Sequence, residues 1–272
     1  MPSIFLSPST QEYNQYYDKS GSEEYYMNLV ADAMEPYLNA SNILFERNDP
    51  DATLAQAIRE SNAGNFDLHL ALHSNAAPEY LAGQISGPDF YYYTRSMRGK
   101  QAATVLAENF MNIYPEPANV TIMPTTSLAE VTRTRAPSVL GELAYHDNPA
   151  DAEWIKDNIQ AIARNLVQGL TQYFGIPFID PYNSGSMGGT NGENSGNGGT
   201  TGEADYTSGT VVTERDRLNI RRYPNIGSDI ITQAPKGARL VVYGQTGDWY
   251  IVEYDGVMGF AFAEYIETDR GI

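Results

Sequence analysis

The chain has 272 residues, enough for one or two domains with a sizeable core. Its 34 acidic and 17 basic residues give a formal charge of −17, and cysteine is absent. The acidic balance argues against nucleic acid as the main partner, because phosphate binding needs basic surface. Without thiols there are no disulfides, thiolate metal sites or cysteine nucleophiles, so His, Asp, Glu and neutral oxygens are the metal donors available.

The charge is uneven. Residues 1–206 hold ten basic and 25 acidic residues, net −15, whereas 207–272 hold seven and nine, net −2. No apolar run approaches the roughly 20 residues of a membrane span, so membrane insertion is not expected. Met1 leads straight into Ser3-Ile4-Phe5-Leu6, with no charged leader region or signal-like core, so no signal peptide is visible.

In chain order, Ile4–Leu6 reads as a strand. Glu23–Leu38 reads as an amphipathic helix with Met27, Val30, Met34 and Leu38 on one face. Ile43–Phe45 is a short strand. Ala52–Asn62 is a helix, with Asp51 near its start and Gly64 after its end. Leu68, Leu70 and Leu72 alternate with the period of a strand that ends in His73, followed by Ser74 and Asn75. An imidazole at a strand's C-terminal end is a common way to build a metal or catalytic site in an α/β fold. Phe90–Tyr93 and Val120–Met123 are further strands, and Arg98–Ile113 is a helix. Ser138–Leu143 is a strand, and Pro149–Phe174 reads as one long helix with Ala152, Ile155, Ile159, Ile162 and Leu166 on one face. This alternation predicts an α/β fold, a mostly parallel twisted sheet flanked by helices.

Asn183–Gly202 is nearly all Gly, Asn, Ser and Thr and reads as a flexible tether. The expected organisation is therefore a domain over 1–182, a linker over 183–206 and a second domain over 207–272. In the latter, short alternating runs (Leu218–Arg221, Ile230-Ile231, Arg239–Tyr243, Trp249–Tyr254, Met258–Phe262) are punctuated by Gly227, Pro235-Lys236-Gly237, Gly247-Asp248 and Asp255-Gly256. They predict a small all-β barrel.

Four pieces of the first domain fall where a hydrolytic metal site needs them: His73, Glu24 at the start of the first long helix, Glu142 at the end of Val139-Leu140-Gly141-Glu142, and the loop Ser7–Asn14. The C-terminal ends of parallel strands open onto a common crevice. His69 and His73 share a strand face but stand roughly 13 Å apart, too far to bind one ion. His69 is expected to be a packed or hydrogen-bonded strand residue. Glu23 reads as an ordinary first-turn helix acid. Glu130, Arg133 and Arg135 read as solvated surface.

The motifs Leu6-Ser7-Pro8-Ser9, Glu24-x-x-x-Asn28, His73-x-Asn75-Ala76 and Pro137-x-Val139-Leu140-x-Glu142, followed by Asn148 and Asp151-Ala152, occur in this order. On them, residues 1–175 resemble the zinc-dependent N-acetylmuramoyl-L-alanine amidases of the amidase_3 type. The resemblance implies an amidase/phosphorylase-like fold and hydrolysis of the amide between muramic acid's lactyl group and L-alanine, with peptidoglycan as partner and Zn2+ as cofactor. It makes Glu24 and His73 zinc ligands and Glu142 the general base; Asn75 is a candidate substrate contact, and Arg135, otherwise read as surface, is the alternative contact for the carboxylates of a peptide stem. The family's first-loop His is missing here. Gln11 is the leading candidate for its place, with Tyr13 and His146 as alternatives. A neutral Gln oxygen is a weaker donor than imidazole, and a Tyr would have to ionise against a reference pKa near 10. The missing imidazole leaves an alternative open, an inactive amidase-fold protein that only binds cell wall.

Residues 209–267 resemble bacterial SH3-type modules through Leu218–Pro224, Pro235-Lys236-Gly237, Gly247–Val252 and Gly259-Phe260-Ala261. That resemblance implies wall binding; Arg221, Arg222, Tyr223, Trp249 and Tyr250 are candidate contacts, with filling of the barrel core as the alternative role of Trp249. Together the two parts imply a cell-wall hydrolase of endolysin or autolysin type. It would act outside the cell or in the wall, where a tethered binding module raises effective concentration.

Overall fold

The computed structural model describes residues 1–182, 207–213, 217–221, 226, 230–246, 248–255 and 257–269. They fall into two compact units, Met1–Ile179 and Asp180–Ile272. The expected tether at 183–206 lies outside the described residues.

The first unit runs β1 (Ser3–Pro8), α1 (Glu23–Ala40), β2 (Leu44–Arg47), α2 (Leu54–Ala63), β3 (Leu68–Asn75), β4 (Asp89–Tyr93), α3 (Met97–Phe110), β5 (Thr121–Thr125), α4 (Ala129–Thr132), β6 (Ser138–Tyr145), α5 (Pro149–Asp157) and α6 (Ile159–Phe174). Its sheet has the order β2-β1-β3-β6-β4-β5. The first four strands are mutually parallel. β4 runs antiparallel to β6, and β5 runs parallel to β4.

The central strands are apolar on both faces, as strands covered by helices on either side must be. Ile4, Phe5 and Leu6, then Leu68, Leu70, Ala71 and Leu72, then Val139, Leu140, Leu143 and Ala144 are all buried. The register sets Pro8 beside Leu72 and His73 beside Glu142, so the C-terminal ends of β1, β3 and β6 share one edge. α1 buries the face formed by Met27, Val30, Met34 and Leu38. Its start is held by Ser22, whose side chain accepts the backbone N–H of Tyr25. α2 opens with a reciprocal capping box between Thr53 and Gln56.

The single helix expected over 149–174 is broken at Asn158, the C-cap of α5 and N-cap of α6. The Asn158 amide donates to the carbonyl of Trp154 at 2.8 Å, and this local competition ends the first helix. α4 is a short element that the sequence pattern does not reveal.

The second unit holds β7 (Thr207–Val211), β8 (Leu218–Arg221), β9 (Ile230–Ala234), β10 (Arg239–Thr246), β11 (Trp249–Tyr254), β12 (Val257–Phe262) and β13 (Ile266–Thr268). Their order is β13-β7-β10-β11-β12-β8-β9, with every pairing antiparallel. Val211, Leu218, Ile220, Leu240, Val242, Val252 and Ala261 form its core. At Gly259 a Cβ would stand 2.6 Å from the Arg221 carbonyl oxygen, so β12 and β8 approach closely only because the residue is glycine.

Candidate active site

The edge shared by β1, β3 and β6 opens into a cleft of about 680 Å³ whose lining includes Ser7, Gln11, Tyr13, Glu24, His73 and Glu142. Beneath it lies a cluster built around His73. The loop after β1 returns to the start of α1 through a backbone bond from Glu23 N–H to the Asn14 carbonyl at 2.8 Å. That contact, with the Ser22 cap, turns the Glu23 side chain inward, where it is 1% exposed. Its Oε1 stands 2.7 Å from His73 Nδ1. The Gln11 amide donates to both Glu23 oxygens at 3.3 Å and lies 3.4 Å from His73 Nδ1. The Asn14 amide donates to Glu23 Oε2 at 2.6 Å.

On the other edge of the ring, His73 Nε2–H donates to Glu130 Oε2 at 3.1 Å. Glu130, on α4, is 4% exposed and not solvated. Its Oε1 accepts from Ser7 Oγ at 2.6 Å and from His69 Nε2 at 3.2 Å. The two strand histidines cannot share an ion, but they share a carboxylate.

The electrostatics follow from this packing. Burial disfavours charge on His73, yet hydrogen bonds to Glu130 and Glu23 outweigh it and hold its pKa well above that of a free imidazole. Burial pushes the Glu23 and Glu130 carboxyls up, and their imidazole partners more than reverse this, leaving both below the usual range. Glu142 behaves oppositely. Burial raises it to about 7, the positive His73 pulls it down, and the negative Glu23, Asp89 and Glu130 push it up. Its Oε2 has no hydrogen-bond partner among the described residues. An acid that titrates near neutrality beside an imidazole, at a cleft, suits general base work.

Thus His73 and Glu142 meet as expected from their strands, and Gln11 joins them. Glu24 does not meet His73. One residue along the helix points it to the cleft mouth, where it accepts from Asn28 and Ser22 at 3.4 and 3.5 Å. Glu23 takes the inward position instead. The motif spacing cannot separate two adjacent acids, because helix rotation decides between them. Glu130 carries no local signal at all; only a buried His69 in need of a partner hints at it.

Tyr13 is exposed and donates to Gln11 Oε1 at 3.0 Å. His146 is buried away from the cleft, donating from Nδ1 to the Ser74 carbonyl at 2.7 Å, so it is not at hand as a third donor. Asn75 spans Asp89 Oδ2 and the Ala76 N–H instead of lining the cleft. Arg135 is exposed and bonded to the Asn62 carbonyl, also outside the cleft lining. Among the described residues, no group of three or more His, Cys, Asp or Glu is gathered to hold a metal; the third polar group at the Glu23–His73 pair is the Gln11 carboxamide.

In the second unit, Trp249 stacks edge-on against Phe262 at 5.2 Å and lines a groove of about 960 Å³ with Arg221 and Tyr265. Tyr250 is buried in the core instead. Arg222 and Tyr223 lie outside the described residues.

The family model for N-acetylmuramoyl-L-alanine amidase matches residues 10–172. The chain belongs to this family. A model of the bacterial SH3 domain matches residues 216–267 of the amidase. In fold, the amidase is similar to the catalytic domain of CwlV, an N-acetylmuramoyl-L-alanine amidase from Bacillus (Paenibacillus) polymyxa var. colistinus. That match has 17% identity and a TM-score of 0.56, covering 65% of this chain and 100% of the other. It is also similar to the amidase Ami1 from Mycobacterium smegmatis (17% identity, TM-score 0.55, 64% of this chain and 97% of that one). The catalytic domain of the CD27L endolysin targeting Clostridia difficile matches at 18% identity and TM-score 0.52, over 63% of this chain and 98% of that one. No curated protein matches the chain. Among the described residues, no helix is long and apolar enough to cross a membrane.

Proposed function

We propose that the amidase hydrolyses the bond between the lactyl group of N-acetylmuramic acid and L-alanine in peptidoglycan, with zinc as its cofactor. The observation that carries this reading is Glu142, a half-buried residue with pKa raised to about 7 and a buried Oε2 that has no hydrogen-bond partner among the described residues, set beside His73 at the cleft.

The donor set at His73 fits zinc. Nε2 faces Glu130, while Nδ1 faces Glu23 and Gln11, so Nδ1 is the nitrogen a metal would share with them. Glu23 adds a carboxylate, and the Gln11 carboxamide adds a neutral oxygen when its two ends exchange by rotation. We therefore assign the helix ligand to Glu23 and the first-loop ligand to Gln11. Bound there, zinc supplies Lewis acidity to the scissile carbonyl and to water.

The chain's own residues do the rest. Glu142, ionised, takes a proton at Oε2 from the attacking water and returns it to the alanine nitrogen as the C–N bond breaks. One water is consumed, giving a lactyl carboxylate and a free alanine amine. In this reading residues 1–182 are the catalytic domain and 183–206 the tether. Residues 207–272 are the wall-binding module, with Arg221 and Trp249 as its contacts, and the whole acts at the cell wall.

A second reading rests on Gln11 standing where the family has an imidazole: wall binding without hydrolysis. Incubating the amidase with purified Gram-positive walls separates the two. Turbidity loss with new N-terminal alanine supports hydrolysis. Retention on the wall without new amino termini supports the other.

A further inference from the structure

We propose that Glu130 is a positioning residue, which fixes the His73 ring so that Nδ1, and not Nε2, is the nitrogen presented to Glu23 and Gln11. The inference rests on the reading that His73 holds zinc.

A carboxylate only accepts, so each imidazole nitrogen facing Glu130 carries its hydrogen, and in the metal-free protein so does His73 Nδ1, 2.7 Å from Glu23 Oε1; a metal at Nδ1 replaces only that second hydrogen. Glu130 divides its two oxygens between the two rings: Oε2 takes His73 Nε2–H at 3.1 Å and Oε1 takes His69 Nε2–H at 3.2 Å. The carboxylate is itself immobilised. Ser7 Oγ donates to Oε1 at 2.6 Å. His69 is held by Ser61, 2.9 Å from its Nδ1, and by the Phe5 ring stacked at 5.5 Å and 14°. Ser7, Ser61, His69 and Glu130 are all buried. The anchor thus draws on β1, α2, β3 and α4, and every group in it has a partner. A fully satisfied buried network of this kind rigidifies what it touches. A carboxylate on the far nitrogen of a ligating histidine fixes both tautomer and ring orientation, and losing such a partner typically costs about 10–100-fold in metal affinity. Glu130 reaches the edge of the cleft, and its contact there is His73 Nε2, so it acts through His73.

The test uses the full chain labelled with 15N, whose three histidines keep the ring-nitrogen spectrum simple. In the metal-free wild type, both ring nitrogens of His73 are expected to carry hydrogen, Nε2 toward Glu130 and Nδ1 toward Glu23. On adding zinc, Nε2 keeps its hydrogen, while Nδ1 loses its own and its resonance moves. In E130Q one acceptor oxygen faces two donor rings. There a form of His73 without the Nε2 hydrogen, kept only at Nδ1 by Glu23, is expected to appear, and zinc affinity, measured against a chelating dye, to fall about 10–100-fold. Zinc moving Nε2 of wild-type His73 would overturn the proposal. So would a folded E130Q that keeps the Nε2 hydrogen and wild-type zinc affinity. If E130Q does not fold, the wild-type spectrum decides alone. Should the wild type take up no zinc at His73, the metal assignment above fails, while the Nε2 hydrogen of His73, present in the metal-free wild type and lost in E130Q, still tests the role of Glu130.

Discussion

Glu142 owes its proton affinity to its place on β6, half-buried among other carboxylates and opposed by one imidazole. Because its folded pKa is near 7, activity should rise with pH through about 7 as the base ionises. E142Q should lower kcat by about 10²–10⁴-fold while circular dichroism stays unchanged. The same shift has a stability consequence. The folded state binds this proton more tightly than the unfolded state, whose pKa is near 4.3, so ionisation opposes folding as pH rises from about 4.3 to about 7. Urea unfolding across that window should show the wild type losing stability with pH relative to E142Q; parallel curves would contradict the shift. Glu23 and Glu24 offer a second contrast. E23Q should lower zinc stoichiometry, whereas E24Q, altering a side chain at the cleft mouth, should leave it near the wild-type value. Equal losses in both would deny the inward placement of Glu23.

At the scale of elements, α5 docks through one buried acid. Asp151 accepts from the Tyr114 hydroxyl at 2.5 Å and from the backbone N–H groups of Gly87 and Tyr145, each at 3.0 Å. D151A leaves those donors without their acceptor and should destabilise the first unit by at least about 3 kcal/mol, read from the denaturant midpoint. A change within about 0.5 kcal/mol, the range of ordinary surface substitutions, would argue against this tie. The strands and first helices were legible because their signals are local. Leu68, Leu70 and Leu72 alternate, and Met27, Val30, Met34 and Leu38 repeat at helical spacing. What escaped depends on tertiary contact. Nothing near Glu130 announces that two histidines 57 and 61 residues earlier will share it. The break at Asn158 turns on one side-chain bond inside an otherwise continuous apolar stripe. The inward turn of Glu23 is set by a loop carbonyl at Asn14.

At the scale of the molecule, charge and chemistry divide between the two units. The strongly acidic residues 1–206 contain the cleft, while the nearly neutral residues 207–272 contain the Trp249 groove. Removing 207–272 should leave turnover of a soluble muropeptide near the full-chain value and reduce retention on intact walls, measured by co-sedimentation. Unchanged retention would assign wall affinity to the first unit instead. The most direct test of the account is an anomalous difference map at the zinc edge from crystals grown with one equivalent of zinc. The predicted result is one peak bounded by Glu23, His73 Nδ1 and Gln11, with Glu142 nearby and unligated. A peak elsewhere, or none at that zinc content, would contradict it.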